Sequence, residues 1–492
     1  ANYGTSGQVL TSGGSGSAAT WSTVTGTTIN NNANNRVITG EGGTTLNGEA
    51  NLTFDGSALT VNGTSLNNII TARAADTNGI SAINILAEGT TGHSRIKFSD
   101  TAGIDGQISY THTDRALTFA AGGTTERLRI TAAGNATFSG IVTATSFVPT
   151  SGQLSHRNII INGAMTVAQR SVGPLQVEGY RTVDRFRFNY DPAPNEIPFQ
   201  SQHVLTSGDT GPYEEGFRYS YFIENGNQGT QPSNGNIEIF HRVEAQDIAN
   251  SNWNYLSSSS FITLSFWAKS SVTQTFYGRV TSETGTTLNF PYEIDLVGGT
   301  WKKFTIKIPG HASLGFTNTN GSGMRIEWVQ AAGTDQSGSA TLNQWSTYSS
   351  TDRYPAVAST WYDTDNATYE ITGVQLEVGD TPTTFEHRSY AEELIRCKRY
   401  YQTNSFTTLM GSAAGQVSTP MIMFPVEMRE APSSVTVEYG GNGNGSFRNQ
   451  NTGSTLTGHT IIVTYKNGFT ARGSSGSANI IYSSVYKAEC EL

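Results

Sequence analysis

The side chains best suited to chemistry in this sequence are aromatic rings set among Asn, Asp, Arg and Ser. One cluster comprises Trp345, Tyr348, Arg353, Tyr354, Trp361, Tyr362 and Asp363, and a smaller one places Trp253 and Tyr255 beside Asn252 and Asn254. A third, near the C-terminus, brings Tyr439, Asn444, Phe447 and Arg448 around a Gly/Asn run. A ring stacks on the apolar C–H face of a sugar while neighbouring amides, carboxylates or guanidinium groups bond its hydroxyls. Each cluster is therefore a candidate glycan-binding surface. The first is the strongest, because it lies in a Ser/Thr/Asp-rich connection where large rings have no obvious strand face to fill. For the rings of the first two clusters the weightier reading is packing, in the core or between subunits, and for the third cluster loop flexibility is an equal alternative. Trp267 and Trp301 lie in regular strand patterns and are assigned to packing.

Catalytic signatures are absent from the sequence: there is no GxxxxGK[ST], no HExxH and no GxSxG. The eight His residues are scattered singly, and Cys397 and Cys490 form neither a disulfide framework nor a CxxC metal pattern. Both thiols are read as reduced, and no cofactor or metal is expected. The stretch from Asp363 and Asp365 to Glu370 has oxygen ligands at calcium-like density but lacks the turn Gly of an EF-hand loop. A solvated loop leading into a strand is the favoured reading, and calcium is left open. Carboxylate pairs for glycoside cleavage need only be about 5–10 Å apart in space, so Glu214, Glu215, Asp352, Asp363 and Asp365 are available in principle. Nothing in their spacing selects them, and the chain is read as a non-enzyme.

Composition narrows the architecture. Charged residues make up 14% of 492, well under the usual ~25%, while Gly is high at 54. Solubility must then come from hydroxyl and amide side chains, as on the exposed positions of extended β proteins. The formal charge of −9 lacks the clustered basic excess that nucleic acid would require. No run of 18 apolar residues and no charged-then-apolar leader is present, so a soluble chain without membrane insertion or visible export is expected. The chain opens at Ala1 without Met, which leaves room for a missing N-terminal segment.

The elements divide at about residue 150. Residues 1–150 hold only eight of the 50 aromatic residues, yet Leu52-Thr-Phe54, Leu59-Thr-Val61, Leu117-Thr-Phe119, Leu128-Arg-Ile130 and Ala136-Thr-Phe138 alternate and end near Gly or Asn. This pattern predicts a shaft of β-hairpin modules, each with a thin apolar stripe best buried against copies of itself. Residues 151–388 predict a jelly roll or β-sandwich, with strands at Phe261–Lys269, Gln274–Val280, Trp301–Ile308, Gly323–Gln330 and Ala367–Glu377. In the first of these, Ile262, Leu264, Phe266 and Ala268 share one face. Residues 389–402 predict a connecting helix. Ser389 and Glu392 form its capping box, and Ala391, Leu394, Ile395, Lys398 and Tyr401 its stripe. That stripe is read as packing on the head, with a three-helix contact at a symmetry axis as the alternative. Residues 403–492 predict a small terminal β domain, with strands at Phe406–Met410, Pro420–Phe424, Ser434–Tyr439, Thr460–Tyr465 and Ala478–Tyr486, and a mobile loop at Gly440–Gly445. The fold class is all-β.

Several segments resemble those of one family. They are Gly4–Trp21 (GTSGQVLTSGGSGSAATW), Gly106–Tyr110 (GQISY), Glu126–Asn135 (ERLRITAAGN), Asn158–Met165 (NIIINGAM) with Gln169-Arg170, Tyr180–Phe186 (YRTVDRF), Gly373–Gly379 (GVQLEVG) and Thr383–Leu394 (TTFEHRSYAEEL), which leads to Cys397-Lys-Arg-Tyr-Tyr401. In this order they resemble tail fibres of tailed bacteriophages. The resemblance implies a virion component made in the host cytoplasm and a homotrimer held to other tail or baseplate proteins through its N-terminal side. It also implies a role in attachment to a host surface glycan or another receptor. The SFWAKS and GTWKKFTIKI strands are similar to those of carbohydrate-binding jelly rolls, a likeness of fold. A tailspike-type polysaccharide depolymerase and a purely architectural fibre are the two alternative functions.

Overall fold

The computed structural model describes residues 3–24, 28–30, 36–42, 45–55, 58–61, 85–87, 90–142, 156–191, 194–356, 360–410, 417–474 and 480–492. The chain forms two compact units, Ala1–Ser146 and Phe147–Leu492. The expected boundary at residues 150 and 151 lies outside the described residues, as do Asn62 and Gly63.

In the first unit, β1 (Gln8–Thr11) and β2 (Thr20–Thr23) form a hairpin with Leu10 opposite Trp21. Next come β3 (Thr28–Asn30), β4 (Arg36–Gly42), β5 (Thr45–Phe54) and β6 (Leu59–Val61). Strand β5 pairs antiparallel with β4 and β6 but parallel with β3, so this part is not the simple hairpin expected. A meander follows: β7 (His93–Ser99), β8 (Ile104–Thr111), β9 (Ala116–Ala121), β10 (Glu126–Ile130) and β11 (Ala136–Phe138). Its register sets Ile96, Ile108, Phe119, Leu128 and Phe138 in one cross-strand row, with Tyr110, Leu117 and Ile130 in the next row of the same face. Period-two alternation makes this face largely apolar, with Ser94 opposite Tyr110 at its edge. It is also wet: Ile96 is 47%, Phe98 55% and Phe138 50% exposed.

The second unit is built on two sheets. One runs β12 (Phe186–Asp191), β15 (Asn236–Glu244), β20 (Ser322–Ala332), β17 (Gln274–Ser282), β18 (Leu288–Leu296) and β21 (Ser346–Thr347) in spatial order. The other runs β13 (Phe199–Val204), β14 (Tyr219–Glu224), β22 (Thr368–Val378), β16 (Phe261–Ser270) and β19 (Lys302–Pro309). All pairings within them are antiparallel. Ile262, Leu264, Phe266 and Ala268 turn inward as the alternation predicts and share one core with Phe188, Ile239, Phe276, Phe290, Ile326 and Trp328 from the facing sheet. Gly278 is required here, because a Cβ would fall on the ring of Tyr292, whose hydroxyl donates to the Glu327 carbonyl at 2.9 Å. At Gly373 the backbone is left-handed (φ 64°), matching a bulge in the β16–β22 register.

The helix starts where its capping box predicts. It spans α2 (Tyr390–Lys398), and Ser389 Oγ accepts from the Glu392 amide at 3.3 Å. A shorter helix, α1 (Ala245–Ala249), precedes it in the chain and was not anticipated. Two expectations for α2 are corrected. Tyr401 begins a strand instead of extending the stripe, and Ile395 is 57% exposed, the buried side of the helix being set by Cys397, which packs with Ile161, Val167 and Tyr400.

The terminal domain carries β23 (Tyr401–Met410), β24 (Val417–Ser418), β25 (Met421–Met423), β26 (Ser434–Glu438), β27 (Phe447–Asn449), β28 (Thr455–Leu456), β29 (Thr460–Tyr465), β30 (Gly468–Ser474) and β31 (Ile480–Glu489). Its small core includes Phe424, Val437, Phe447, Phe469 and Tyr486. A polar seam docks it on the sandwich. Arg399 and the Tyr400 hydroxyl both reach Glu244, Arg185 pairs with Glu491 while lying 3.4 Å from the Tyr400 ring centroid, and Arg429 exchanges bonds with the Asn320 backbone and side chain. Helix and terminal domain are thus parts of one unit with the head.

Candidate functional site

The outer face of the six-stranded sheet carries a groove of about 450 Å³. Its floor follows from register. Asn189 on β12 stands opposite Glu238 on β15, and Arg279 on β17 stands opposite Glu327 on β20. These positions alternate with the inward-facing Ile237, Ile239, Ile326 and Trp328, so polar side chains are forced onto the outer face. One wall is the connector between β20 and β22, which contributes Gln336, Tyr348 and Arg353.

Charge is concentrated on the floor. Glu327 is wholly buried and receives both Arg279 and Arg325, while Arg325 also reaches Glu238 at 3.4 Å. Burial pushes the Glu327 carboxyl up, but the two guanidinium groups outweigh it and hold the group at about 2. Glu238 behaves oppositely: burial, reinforced by the charge of Glu327, raises it to about 7. Two carboxyl groups on one floor are thus driven apart, one ionised and one largely protonated below neutrality. Buried floor atoms that make no hydrogen bond among the described residues include Asn236 Oδ1 and Arg279 Nη1. Buried polar atoms normally find partners, so unmet capacity here marks a surface built to receive a ligand or water.

The wall supplies a ring and a cation. Arg279 and Arg353 stand over the same Tyr348 ring, 5.3 Å and 5.9 Å from its centroid. Arg353 Nη1 donates to Gln336 Oε1 at 3.1 Å, and among the described residues no carboxylate lies within ion-pair distance of it. The wall is fastened from behind by Tyr354, which is wholly buried against Tyr277, Val329 and Ala332.

Of the candidates chosen from sequence, Tyr348 and Arg353 come together here. The others are placed elsewhere. Trp361 and Tyr362 lie in the sandwich core, where Asn225 Nδ2 donates to their carbonyls at 3.0 and 2.9 Å, and Trp253 lies there too. Tyr354 serves the wall from inside. These four rings offer no face to a sugar, because each is buried on all sides. Trp345 packs on Phe290 and donates to the Pro309 carbonyl at 2.7 Å, and Tyr255 packs edge-on against Phe316. Asp363 is exposed on the turn before β22, apart from the groove. In the terminal domain Phe447 is core and Asn444 accepts from the Val437 amide at 2.9 Å, which leaves Arg448 beside Tyr439 at 5.8 Å as the surface pair.

Glu238, Arg279, Arg325 and Glu327 were not picked out from sequence. Their signal was legible: charged residues at outward positions of strands whose inward positions are continuous Ile, Val and Trp, as in Asn236–Glu244.

No family model matches this chain, and no curated protein qualifies as a relative. Solved structures with partial likeness include the enzymatically active domain of bacteriophage CBA120 tailspike protein 4, at 11% identity over 45% of this chain and 21% of that one, TM-score 0.24. A sugar-binding protein of Bacteroides thetaiotaomicron shows 10% identity over 45% of this chain and all of that one, TM-score 0.24. The TmCBM61 structure with β-1,4-galactotriose shows 10% identity over 46% and 99%, TM-score 0.22. At these scores they carry no inference about this chain.

Proposed function

We propose that this chain is a trimeric phage tail fibre that attaches to a host surface by binding glycan in the groove on the six-stranded sheet. The observation that carries the reading is the groove itself: a polar floor with unmet hydrogen-bonding capacity beside the Tyr348 ring. Such a surface suits a polyhydroxyl ligand, which needs many directional partners and one apolar face. The ordered segments resembling tail fibres supply the biological setting, and the wet apolar face of the first unit is the surface on which copies would meet. Three equal sites on one particle raise the effective concentration after the first contact, so single-site affinities of about millimolar suffice.

Attachment rather than cleavage is the proposed activity. Glu327 is tied to two arginines and wholly buried, so the carboxyl pair on the floor is poorly placed for acid–base attack on a glycosidic bond. The test uses the purified chain on a panel of bacterial surface polysaccharides and on phage adsorption. Binding, competition with phage, loss of both in Tyr348→Ala and no release of reducing ends are expected. Failure to bind or compete would leave the architectural reading, and new reducing ends would establish a depolymerase.

A further inference from the structure

We infer that the groove selects acidic glycans, seating a sugar carboxylate between Arg353 and Arg279 beside the Tyr348 ring. This rests on the glycan-binding reading of the same groove and names its ligand class.

Three observations converge. Arg353 lines the groove and has no carboxylate partner among the described residues, although this chain's formal charge is −9 and most of its buried arginines are paired. Arg279 is 2% exposed, and its Nη1 makes no hydrogen bond although Nη2 donates to Glu327 Oε1 at 2.8 Å. A buried guanidinium nitrogen without a partner is costly, and an incoming anion would meet that need. Both groups line the groove beside one Tyr348 ring, at 5.3 and 5.9 Å from its centroid. A planar guanidinium suits a carboxylate, because its donors match the two oxygens side by side.

None of the acids of the groove is ion-paired with Arg353 among the described residues. Glu327 is matched by Arg279 and Arg325 together, two cations to one carboxylate. Glu238 stays largely uncharged up to about 7. Asp335 accepts from the Ser233 hydroxyl at 2.8 Å, and Asp191 stands opposite Asn236 at the end of β12, where both can take sugar hydroxyls. Counted together, Arg279, Arg325 and Arg353 balance Glu327, Asp191 and Asp335, so the attraction for a carboxylate is local to Arg353, which no carboxylate pairs among the described residues.

The test pairs each polysaccharide of the panel with its carboxyl-reduced form and measures binding to the full chain. The binders are expected to be carboxylate-bearing, and reduction is expected to weaken them about tenfold or more. In Arg353→Gln, chosen because Arg353 is partly exposed and has no acidic partner to orphan, native and reduced forms should bind within a few-fold of each other. Binding that survives carboxyl reduction would overturn the acidic-glycan inference while leaving adsorption through the groove standing. Binding by neither form of any polysaccharide would remove the parent reading and this one together.

Discussion

At the level of single residues, Glu238 makes the fold sensitive to pH. Its carboxyl ordinarily titrates near 4.5 and is raised to about 7, so between those values the folded chain holds a proton that the unfolded chain has lost. Stability from this group is full below about 4.5 and falls as pH rises to about 7, by an amount on the order of 1–3 kcal/mol. Asp184 and Asp247, both raised to about 6 mainly by burial, act in the same direction. Glu327, held at about 2, acts oppositely and loses its contribution only in strong acid. Burial lowers His241 and His459, which act against the trend set by Glu238 over the same window. The signature of Glu238 in thermal melts is therefore a difference: Glu238→Gln should raise the Tm at pH 8 relative to pH 5 compared with the unaltered chain. An unchanged difference in the variant would place the effect elsewhere. Removing one partner of the buried pair, as in Glu327→Gln, should cost about 3–5 kcal/mol in denaturant melts. Whereas the charged floor residues are marked only by the strand alternation of β15, β17 and β20, Tyr348 and Arg353 stand out in sequence because the composition of a connector reveals exposure. The burial that separates Trp361 and Tyr354 from them is a tertiary property, invisible to local pattern.

At the level of elements, alternation did most of the work. Strands β16, β17, β19, β20 and β22 lie where apolar and polar residues alternate, and α2 begins at its capping box. Less legible were β13, β14 and β18, where polar residues such as Gln200 and Asn289 are buried and blur the period. The parallel pairing of β3 with β5 is likewise a long-range choice with no local mark. Two substitutions test the elements that hold the groove. Gly278→Ala would drive a methyl group into Tyr292 and loosen the Tyr292–Glu327 bond, so a loss of about 1–3 kcal/mol is expected. Tyr354→Ala should cost about 3–5 kcal/mol by the usual toll of emptying a buried aromatic site. It should also speed amide exchange in residues 336–354, and exchange unchanged there would mean that other contacts fasten the wall.

For the whole molecule, the two units differ in what they can bury alone. The second has a continuous core closed by two sheets and a polar seam, whereas the meander of the first leaves Ile96, Phe98 and Phe138 in water. If copies cover that face, light scattering should give three times 52.7 kDa, and Ile96→Lys with Phe98→Lys should lower the mass. A monomer for the unaltered chain would end the shared-core account. If copies cover it, that face also sets an order of biogenesis. Phe147–Leu492 would then acquire its native packing within a single polypeptide, at a rate indifferent to dilution, while the meander would wait to encounter other copies. Refolding followed by fluorescence should accordingly split. The six Trp residues beyond Trp21 report a first-order phase, and only the approach to full mass slows as the protein is diluted.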